Sequence, residues 1–274
     1  MSHFSSARSG APGAARYKAR GTVGARARRA ASLFCLVLGA PSAALGCGVV
    51  SGEATVQSLA PRGEIVFADG RHARLGGLWL APQAGAALAK RAGEQFGLAT
   101  LDRRPDRWGR LVVDLVDRDG QSVALDLILR GLAVVRPEPQ TRPCEAERLE
   151  TEEAARAAGE GVWSAAGAIL DATDAAALAS ADGRFVLVEG VVRRVGVARA
   201  SFYLDFAGRR GFSVVTPKKA GPQFRRAGVD LKALAGQRVL VRGVVDDRFG
   251  PRIEIVDPLM IEPLENTKET GRGG

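Results

Sequence analysis

The chain has 274 residues, enough for two small domains after an N-terminal segment of 46 residues is set aside. Its formal net charge of +9 does not indicate a nucleic-acid-binding surface, because seven of the 39 basic residues and no acidic residue lie within residues 1–46. The other 32 basic residues stand against 30 acidic ones, which leaves a net charge of +2 and excludes a strongly basic folded part.

Residues 1–46 have the layout of a secretory signal. A basic stretch ends at Arg29, an apolar stretch runs from Ala30 to Ala40, and small residues follow to Gly46. The apolar stretch is too short to favour a transmembrane helix. We therefore expect an exported protein, periplasmic or secreted, with no transmembrane span in the mature chain. The alternative is a lipoprotein anchored at Cys47.

Two cysteines and one histidine remain beyond that segment. In an oxidising compartment the pair Cys47 and Cys144 is a candidate for a disulfide that ties the start of the mature chain to the first domain. Two unpaired thiols are the alternative, and lipidation of Cys47 excludes the bridge. Because His72 is the only remaining histidine, zinc sites and histidine-based catalytic triads are practically excluded.

The first predicted domain, residues 47–165, alternates short strands with helices. The predicted strands are 64–67, 72–78, 98–101, 110–116 and 122–124, and the predicted helices are 83–91, 125–130 and 144–158. Asp69-Gly70 and Asp119-Gly120 are typical of the turns between antiparallel strands. A small barrel with a capping helix is the oligonucleotide/oligosaccharide-binding (OB) architecture.

An alanine-rich stretch, residues 166–181, is predicted to be a helical linker to a second domain at 182–265. The predicted strands there are 185–195, bent at Gly190, then 201–206, 212–215, 237–245 and 252–256, with a helix within 222–234 and a final edge at 261–264. Five strands with a helix between the third and fourth are again the OB order. The expected fold is mainly β with α, two five-stranded barrels in tandem. The polar tail 266–274 is expected to be disordered.

Four segments, taken in order, resemble the staphylococcal-nuclease-like (thermonuclease) family. No single segment is specific, but the ordered set is. The segments are 69–78, 106–111, 127–135 and 144–164. The resemblance spans residues 56–164. It implies a barrel with capping helices that cleaves phosphodiesters with calcium held by carboxylates, a glutamate as general base and two arginines that neutralise the phosphate.

The family's carboxylate positions are not acidic here. The resemblance places one metal-binding aspartate on Gly63, the other on Trp79 or Leu80, and the general base on Gln83. An amide does not take a proton from water at neutral pH. We therefore expect a degenerate catalytic site and no calcium or other metal cofactor. For Trp79 the favoured interpretation is a hydrophobic plug in the former metal pocket.

The family's two arginines are present as Arg74 and Arg110. One interpretation is an inherited phosphate clamp with both side chains directed inward. The other is that they pair with nearby carboxylates such as Asp106 or Asp114. The two interpretations are equally supported by the sequence.

Three aromatic residues are candidates for nucleic-acid binding: Trp108 beside Arg110, and Tyr203 and Phe212 on strands of the second domain. Bases stack on aromatic side chains next to basic ones. The alternative, favoured for each, is packing against the barrel.

Three functions follow from these residues. The first is an exported nuclease-like protein that binds nucleic acid, a nucleotide or another anionic partner weakly and does not cleave it. The second is an envelope module that binds proteins. The third is a working nuclease whose metal ligands come from other positions, such as Glu64, Asp69 or Asp106.

Overall fold

The computed structural model of the chain describes residues 47–60, 63–208 and 211–264. The predicted secretory segment, residues 1–46, and the predicted tail, residues 266–274, lie outside the described residues. The described residues belong to one compact unit. Within these ranges, none of the helices has the length and apolar character needed to cross a membrane.

The described residues form strands and short helices in mixed order. The strands are β1 Val50–Ala60, β2 Glu64–Phe67, β3 His72–Leu75, β4 Leu78–Leu80, β5 Gln95–Thr100, β6 Leu111–Val116, β7 Ala133–Val135, β8 Ile169–Asp171, β9 Phe185–Val191, β10 Arg194–Val197, β11 Ser201–Asp205, β12 Ser213–Pro217, β13 Arg238–Asp246, β14 Arg252–Glu254 and β15 Ile261–Pro263. The helices are α1 Pro82–Ala89, α2 Val123–Leu129, α3 Glu145–Ala158, α4 Ala175–Ala179 and α5 Gly221–Arg226.

Five strands close the first barrel in the order β1-β2-β3-β6-β5. Neighbours are antiparallel except β3 and β6, which are parallel. Alternate side chains of β2 and β3 point inward, so Ile65, Phe67, Ala73 and Leu75 are buried in the core. The predicted barrel is therefore present. Its first strand, β1, was not predicted, because its polar and small residues leave much of it exposed.

The predicted strand at 122–124 is wrong. Helix α2 begins there instead, and the Ser122 hydroxyl caps it by accepting a hydrogen bond from the backbone N–H of Leu125 at 3.1 Å. A serine in this position satisfies a helix N–H that has no other partner. Through its backbone, Ser122 pairs with the sheet at an isolated bridge to Val116. Helix α3 ends as predicted, at Gly159, whose φ of 68° lies in the left-handed region that glycine adopts readily.

The second barrel repeats the strand order of the first. Its strands belong to an eight-stranded sheet that runs β10-β11-β12-β14-β13-β9-β8, with β15 paired to β13, and β12 and β14 are parallel where β3 and β6 are parallel in the first barrel. Only Val192 and Arg193 separate β9 from β10. These two strands are therefore consecutive in the chain, although five hydrogen-bonded steps separate them in the sheet order. The predicted helix between the third and fourth strands is present as α5 and a 3-10 turn at Leu231–Leu234.

Residues 166–181 are packed against the second barrel rather than standing apart as a linker. Strand β8 pairs in parallel with β9, and Ala172, Leu178 and Ala181 are buried in the second core. Gly190 has a role other than the expected bend. A β-carbon there would lie 2.5 Å from Cβ of Ala172, so glycine allows β9 and the preceding segment to approach closely.

A buried ion pair joins the two barrels. Arg242 of β13 donates to Glu152 of α3 at 2.8 Å, and both side chains are only 1% exposed. Glu152 also accepts the backbone N–H of Val135 at 2.6 Å, and Arg242 donates to the Val135 carbonyl at 3.2 Å. Apolar contacts surround the pair, with Trp79 and Trp163 packed among buried residues from both barrels.

Cys47 and Cys144 form a disulfide, with their Cα atoms 5.5 Å apart across 97 positions of sequence. Nearby, the buried Asp114 accepts hydrogen bonds from the backbone N–H of Cys47 at 3.1 Å and from the Ser122 hydroxyl at 2.7 Å. The guanidinium of Arg148 lies 3.5 Å from the same carboxylate. The start of the described chain is thus fixed to the first barrel by a covalent bond and a buried polar cluster.

Candidate functional site

A cavity of about 780 Å³ opens on the outside of the first barrel, beside the exposed loop 101–110 that connects β5 to β6. Strand β3, strand β4 and the segment after β7 supply its walls. The residues that matter for its chemistry are Gly63, Arg74, Leu80, Trp108, Arg110 and Glu138.

Arg74 points away from the barrel core, not inward as expected. Its neighbours Ala73 and Leu75 take the inward positions of β3, so strand alternation puts Arg74 on the outer face. There its two terminal nitrogens donate to the two carboxylate oxygens of Glu138 at 3.1 and 2.9 Å. This two-pronged pair is the strong geometry for arginine and a carboxylate. The charge of Arg74 is therefore matched by a fixed partner.

Arg110 has a fixed partner too. Its guanidinium donates to one carboxylate oxygen of Asp106 at 3.0 and 2.8 Å, and the same oxygen lies 3.4 Å from Nε of Arg74. The other oxygen accepts the backbone N–H groups of Trp108 and Arg110. Burial raises the pKa of Asp106, but the hydrogen bonds from Arg110 and from these N–H groups outweigh it and lower that pKa to about 2.

Of the two carboxylates expected to pair with the arginines, Asp106 does so and Asp114 does not. Asp114 is buried behind the barrel wall with Cys47, Ser122 and Arg148. The partner that the sequence did not indicate is Glu138, which lies 64 positions from Arg74. Its place after β7, in Arg136-Pro137-Glu138, carries no signal that could have identified it.

Trp108 stands in solvent, with 63% of its surface exposed, so the favoured packing interpretation is wrong. Two guanidinium groups flank its ring, Arg107 at 3.9 Å and Arg110 at 4.9 Å from the ring centroid. Cations over an indole face are attracted by its quadrupole, and they hold the ring in place. The result is an accessible aromatic side chain next to two arginines at the mouth of the cavity.

Apolar and neutral groups occupy the positions that the resemblance assigns to the metal ligands and the general base. Gly63 has a φ of 75°, and a β-carbon added there would collide with the Leu80 side chain, so no longer side chain fits without displacing Leu80. Gln83 is exposed on α1. Trp79 and Leu80 both line the cavity; Trp79 also packs among buried residues from both barrels, and Leu80 is the side chain next to Gly63.

The acidic residues considered as replacement ligands are already engaged. Glu64 bonds His72 at 2.9 Å, Asp69 bonds Arg71 at 2.7 Å, and Asp106 bonds Arg110. In the described ranges, no group of three or more His, Cys, Asp or Glu side chains is arranged to hold a metal ion.

Residues 81–165 match the family model described as staphylococcal nuclease homologue. This part of the chain is a staphylococcal-nuclease-like domain. The match contains Trp108, Arg110 and Glu138, and it begins after Gly63 and Arg74. The family resemblance is therefore confirmed for this part of the chain, and with it the mixed OB-type fold. No curated protein matches the sequence.

The second barrel lies outside the matched residues, and its two candidate aromatics differ. Tyr203 is 38% exposed on β11, as a binding residue must be. Phe212 is 1% exposed and packs against Phe206, with ring centroids 5.2 Å apart. Phe212 is therefore a core residue, in agreement with the favoured packing interpretation and not with a place on a binding face. The nuclease-like domain has the larger accessible aromatic group, Trp108.

Proposed function

We propose that the nuclease-like domain binds single-stranded nucleic acid at the mouth of its cavity and does not cleave it. The observation that carries the proposal is Trp108, a largely exposed indole with the guanidinium groups of Arg107 and Arg110 next to it. Bases stack on aromatic side chains whatever their sequence, and neighbouring arginines contribute both charge and stacking. A tryptophan with only a structural role would be covered by the barrel.

The charges near Trp108 favour a phosphate backbone. Four arginines around the cavity and its loop are exposed, and among the described residues none of them makes an ion pair. They are Arg103, Arg104, Arg107 and Arg136. Because Arg74 and Arg110 are matched by Glu138 and Asp106, these four supply the uncompensated charge. Binding that neutralises only a few phosphates is expected to be weak and to fall with added salt.

Three positions support the absence of cleavage. Gly63 and Leu80 offer no carboxylate for calcium, and Gln83 is a neutral amide directed to solvent. A hard cation needs several oxygen ligands, most of them charged. A general base alone contributes roughly 100- to 10,000-fold to such reactions. The alternative, an active nuclease with relocated ligands, requires residues that already bond His72, Arg71 or Arg110 to be released.

Export is part of the proposal. It is supported by the layout of residues 1–46 and by the disulfide, because disulfides persist in oxidising compartments. A bridged Cys47 has no free sulfur for a lipid, which favours a periplasmic or secreted protein over the lipoprotein alternative. The intact mass of the protein from each cell fraction tests this. A cytoplasmic protein that retains Met1 contradicts export, and a diacylglycerol on Cys47 selects the anchored form.

Fluorescence anisotropy with a labelled oligothymidylate of about sixteen nucleotides, the upper range for one OB fold, tests the binding. We expect weak binding at low salt, unaffected by a chelator, with the oligonucleotide intact afterwards. Trp108→Ala is expected to weaken it roughly 5- to 150-fold, the value of stacking one base. Trp108→Phe keeps an aromatic face and loses less. Leu129→Ala is the matched control, since Leu129 is 53% exposed on α2.

Three outcomes decide among the functions. Equal affinity of Trp108→Ala and wild type contradicts the proposed site. Calcium-dependent degradation that a chelator abolishes supports the active-nuclease alternative. Absence of binding at low salt leaves the envelope protein-interaction module as the better hypothesis.

A further inference from the structure

The second barrel contains a loop that repeats the loop of Trp108. Arg107-Trp108-Gly109-Arg110 precedes β6, and Arg248-Phe249-Gly250-Pro251-Arg252 leads into β14. The first loop connects β5 to β6, and the second connects β13 to β14. These are the fourth and fifth strands of each barrel along the chain, when β4 is left out and β9 and β10 are counted as one strand. Each has the pattern arginine, aromatic, glycine and a further arginine at the start of the fifth strand.

The two loops also share local structure. Gly109 and Gly250 both have positive φ, 78° and 97°, so each turns the chain directly after its aromatic residue. An aspartate organises each loop. Asp106 accepts the guanidinium of Arg110 and the N–H of Trp108, and Asp246 accepts the guanidinium groups of Arg248 and Arg252 and the N–H of Arg248.

In both loops the aromatic ring is exposed and lies next to an arginine. Phe249 is 82% exposed, more than Trp108, and the guanidinium carbon of Arg252 lies 5.4 Å from its ring centroid. The described residues of the barrel leave most of this ring uncovered. The loop between the fourth and fifth strands is one of the two loops with which OB folds contact oligonucleotides. An exposed phenylalanine held there by a structured turn is suited to stack on a base.

The two loops border neighbouring cavities that share two wall residues. The cavity beside Trp108 includes Arg136 and Glu138 in its wall, and both residues also line a second cavity of about 620 Å³. That second cavity is lined on the other side by Tyr203, Arg248, Arg252 and the exposed Glu254 of the second barrel, and Phe249 lies in the adjoining loop, outside the lining itself. Arg136 is exposed, and among the described residues it has no ion-pair partner, so a phosphate passing between the barrels meets a positive charge there.

We infer that Phe249 and its flanking arginines form a second stacking site, so that one single strand extends from Trp108 past Arg136 to Phe249. The inference rests on the proposed function of the nuclease-like domain and assigns a ligand contact to the barrel outside the family match. The occupant is single-stranded nucleic acid, because both loops offer a flat accessible ring and the surface between them offers a cation.

The two sites differ in uncompensated charge, so we expect them to contribute differently to the salt dependence of binding. Arg248 and Arg252 both bond Asp246, so the second loop offers less uncompensated charge than the first, where Arg103, Arg104 and Arg107 stand free of ion pairs in the described part of the chain. The second site therefore contributes by stacking more than by charge. Loss of its ring is expected to reduce affinity without changing the dependence of binding on salt.

Two labelled oligothymidylates test the inference, one of about four nucleotides and one of about sixteen, the limits of site size for an OB fold. Phe249→Ala is expected to weaken binding of the longer strand roughly 5- to 150-fold and to leave the shorter one unchanged. Trp108→Ala is expected to weaken both. Phe249→Tyr keeps the ring and is expected to restore affinity for the longer strand. Leu129→Ala serves as the control for loss of an exposed apolar side chain.

The outcomes separate this inference from the proposed function. If Phe249→Ala binds the longer strand as tightly as wild type while Trp108→Ala does not, the second site is refuted and the first stands. Equal weakening of both lengths by Phe249→Ala also overturns the inference, since a second site acts only on a strand long enough to reach it. If wild type binds neither strand at low salt, the proposed function itself fails.

Discussion

The two barrels share one strand order but present different groups on the outer face of the third strand. In the first barrel β3 places Arg74 there, paired with Glu138. In the second barrel β12 places Ser213 and Val215 there. Both barrels nevertheless have an arginine-flanked aromatic in the loop before the fifth strand. The shared strand order gives this loop the same position in both barrels. Only in the first barrel does the third strand place an ion-paired arginine, Arg74, beside it.

The largest expected effect comes from breaking the buried ion pair between the two barrels, Arg242 and Glu152. Arg242→Met leaves Glu152 buried without its charged partner, which is expected to cost about 3 to 5 kcal/mol of the free energy of unfolding. Urea denaturation followed by circular dichroism measures it. Arg238→Met is the control, because that arginine is 48% exposed and its pair with Glu189 is worth about 1 kcal/mol or less. Equal losses in both variants contradict the role assigned to the buried pair.

A smaller effect distinguishes the aspartates of the two loops. The pKa of Asp106 is about 2 instead of 3.8, so its ionised form stabilises the fold above pH 3.8 and this contribution is lost as the pH falls toward 2. Wild type is expected to lose about 2 kcal/mol more than Asp106→Asn across that interval. Denaturation curves at several pH values measure the difference. Parallel curves for wild type and Asp106→Asn contradict the prediction.

The second loop provides the comparison. Asp246 also has a lowered pKa, held down by the hydrogen bonds from Arg248 and Arg252. Its side chain is 29% exposed against 13% for Asp106, so solvent screens its ion pairs more strongly. Asp246→Asn is therefore expected to change the pH dependence of stability in the same direction but by less.

The smallest expected effect concerns Arg74, the outward arginine that β3 has and β12 lacks. Glu138→Gln removes the carboxylate that neutralises Arg74, so Arg74 becomes able to contact a phosphate. Affinity for the longer oligothymidylate is expected to rise a few-fold at low salt, and the salt dependence to steepen by about 0.7, the value for one further phosphate on a single strand. Glu189→Gln, which removes a carboxylate paired with Arg238, is the control. Unchanged affinity means that Arg74 does not reach the strand.

Local pattern was sufficient to predict most of both barrels. Alternation in β2 and β3, the Asp-Gly turns and Gly159 each specify structure within a few residues. The sequence does not predict strand β1, because its residues have no alternating apolar pattern. Pairing with β2 and β5 holds it in the barrel. Ser122 was assigned to a strand because the capping role of a serine depends on where the helix begins.

The site was less predictable because its chemistry depends on contacts between distant residues. The positions of Arg74 and Arg110 followed from the family resemblance, but the partner Glu138 comes from a segment that only the folded chain brings near. Exposure was the other unknown. Sequence alone does not distinguish Trp108 and Phe249, which face solvent, from Phe212, which packs on Phe206.

The disulfide has a consequence for proteolysis. Cys47 and Cys144 enclose every strand of the first barrel and the exposed loop of Trp108 within one covalent ring. A protease that cuts this loop once opens the ring but releases no fragment, since the two pieces stay joined through sulfur. The nicked protein runs as one species on a non-reducing gel and as two after reduction. A single cut in this exposed loop therefore leaves the two pieces of the chain covalently joined.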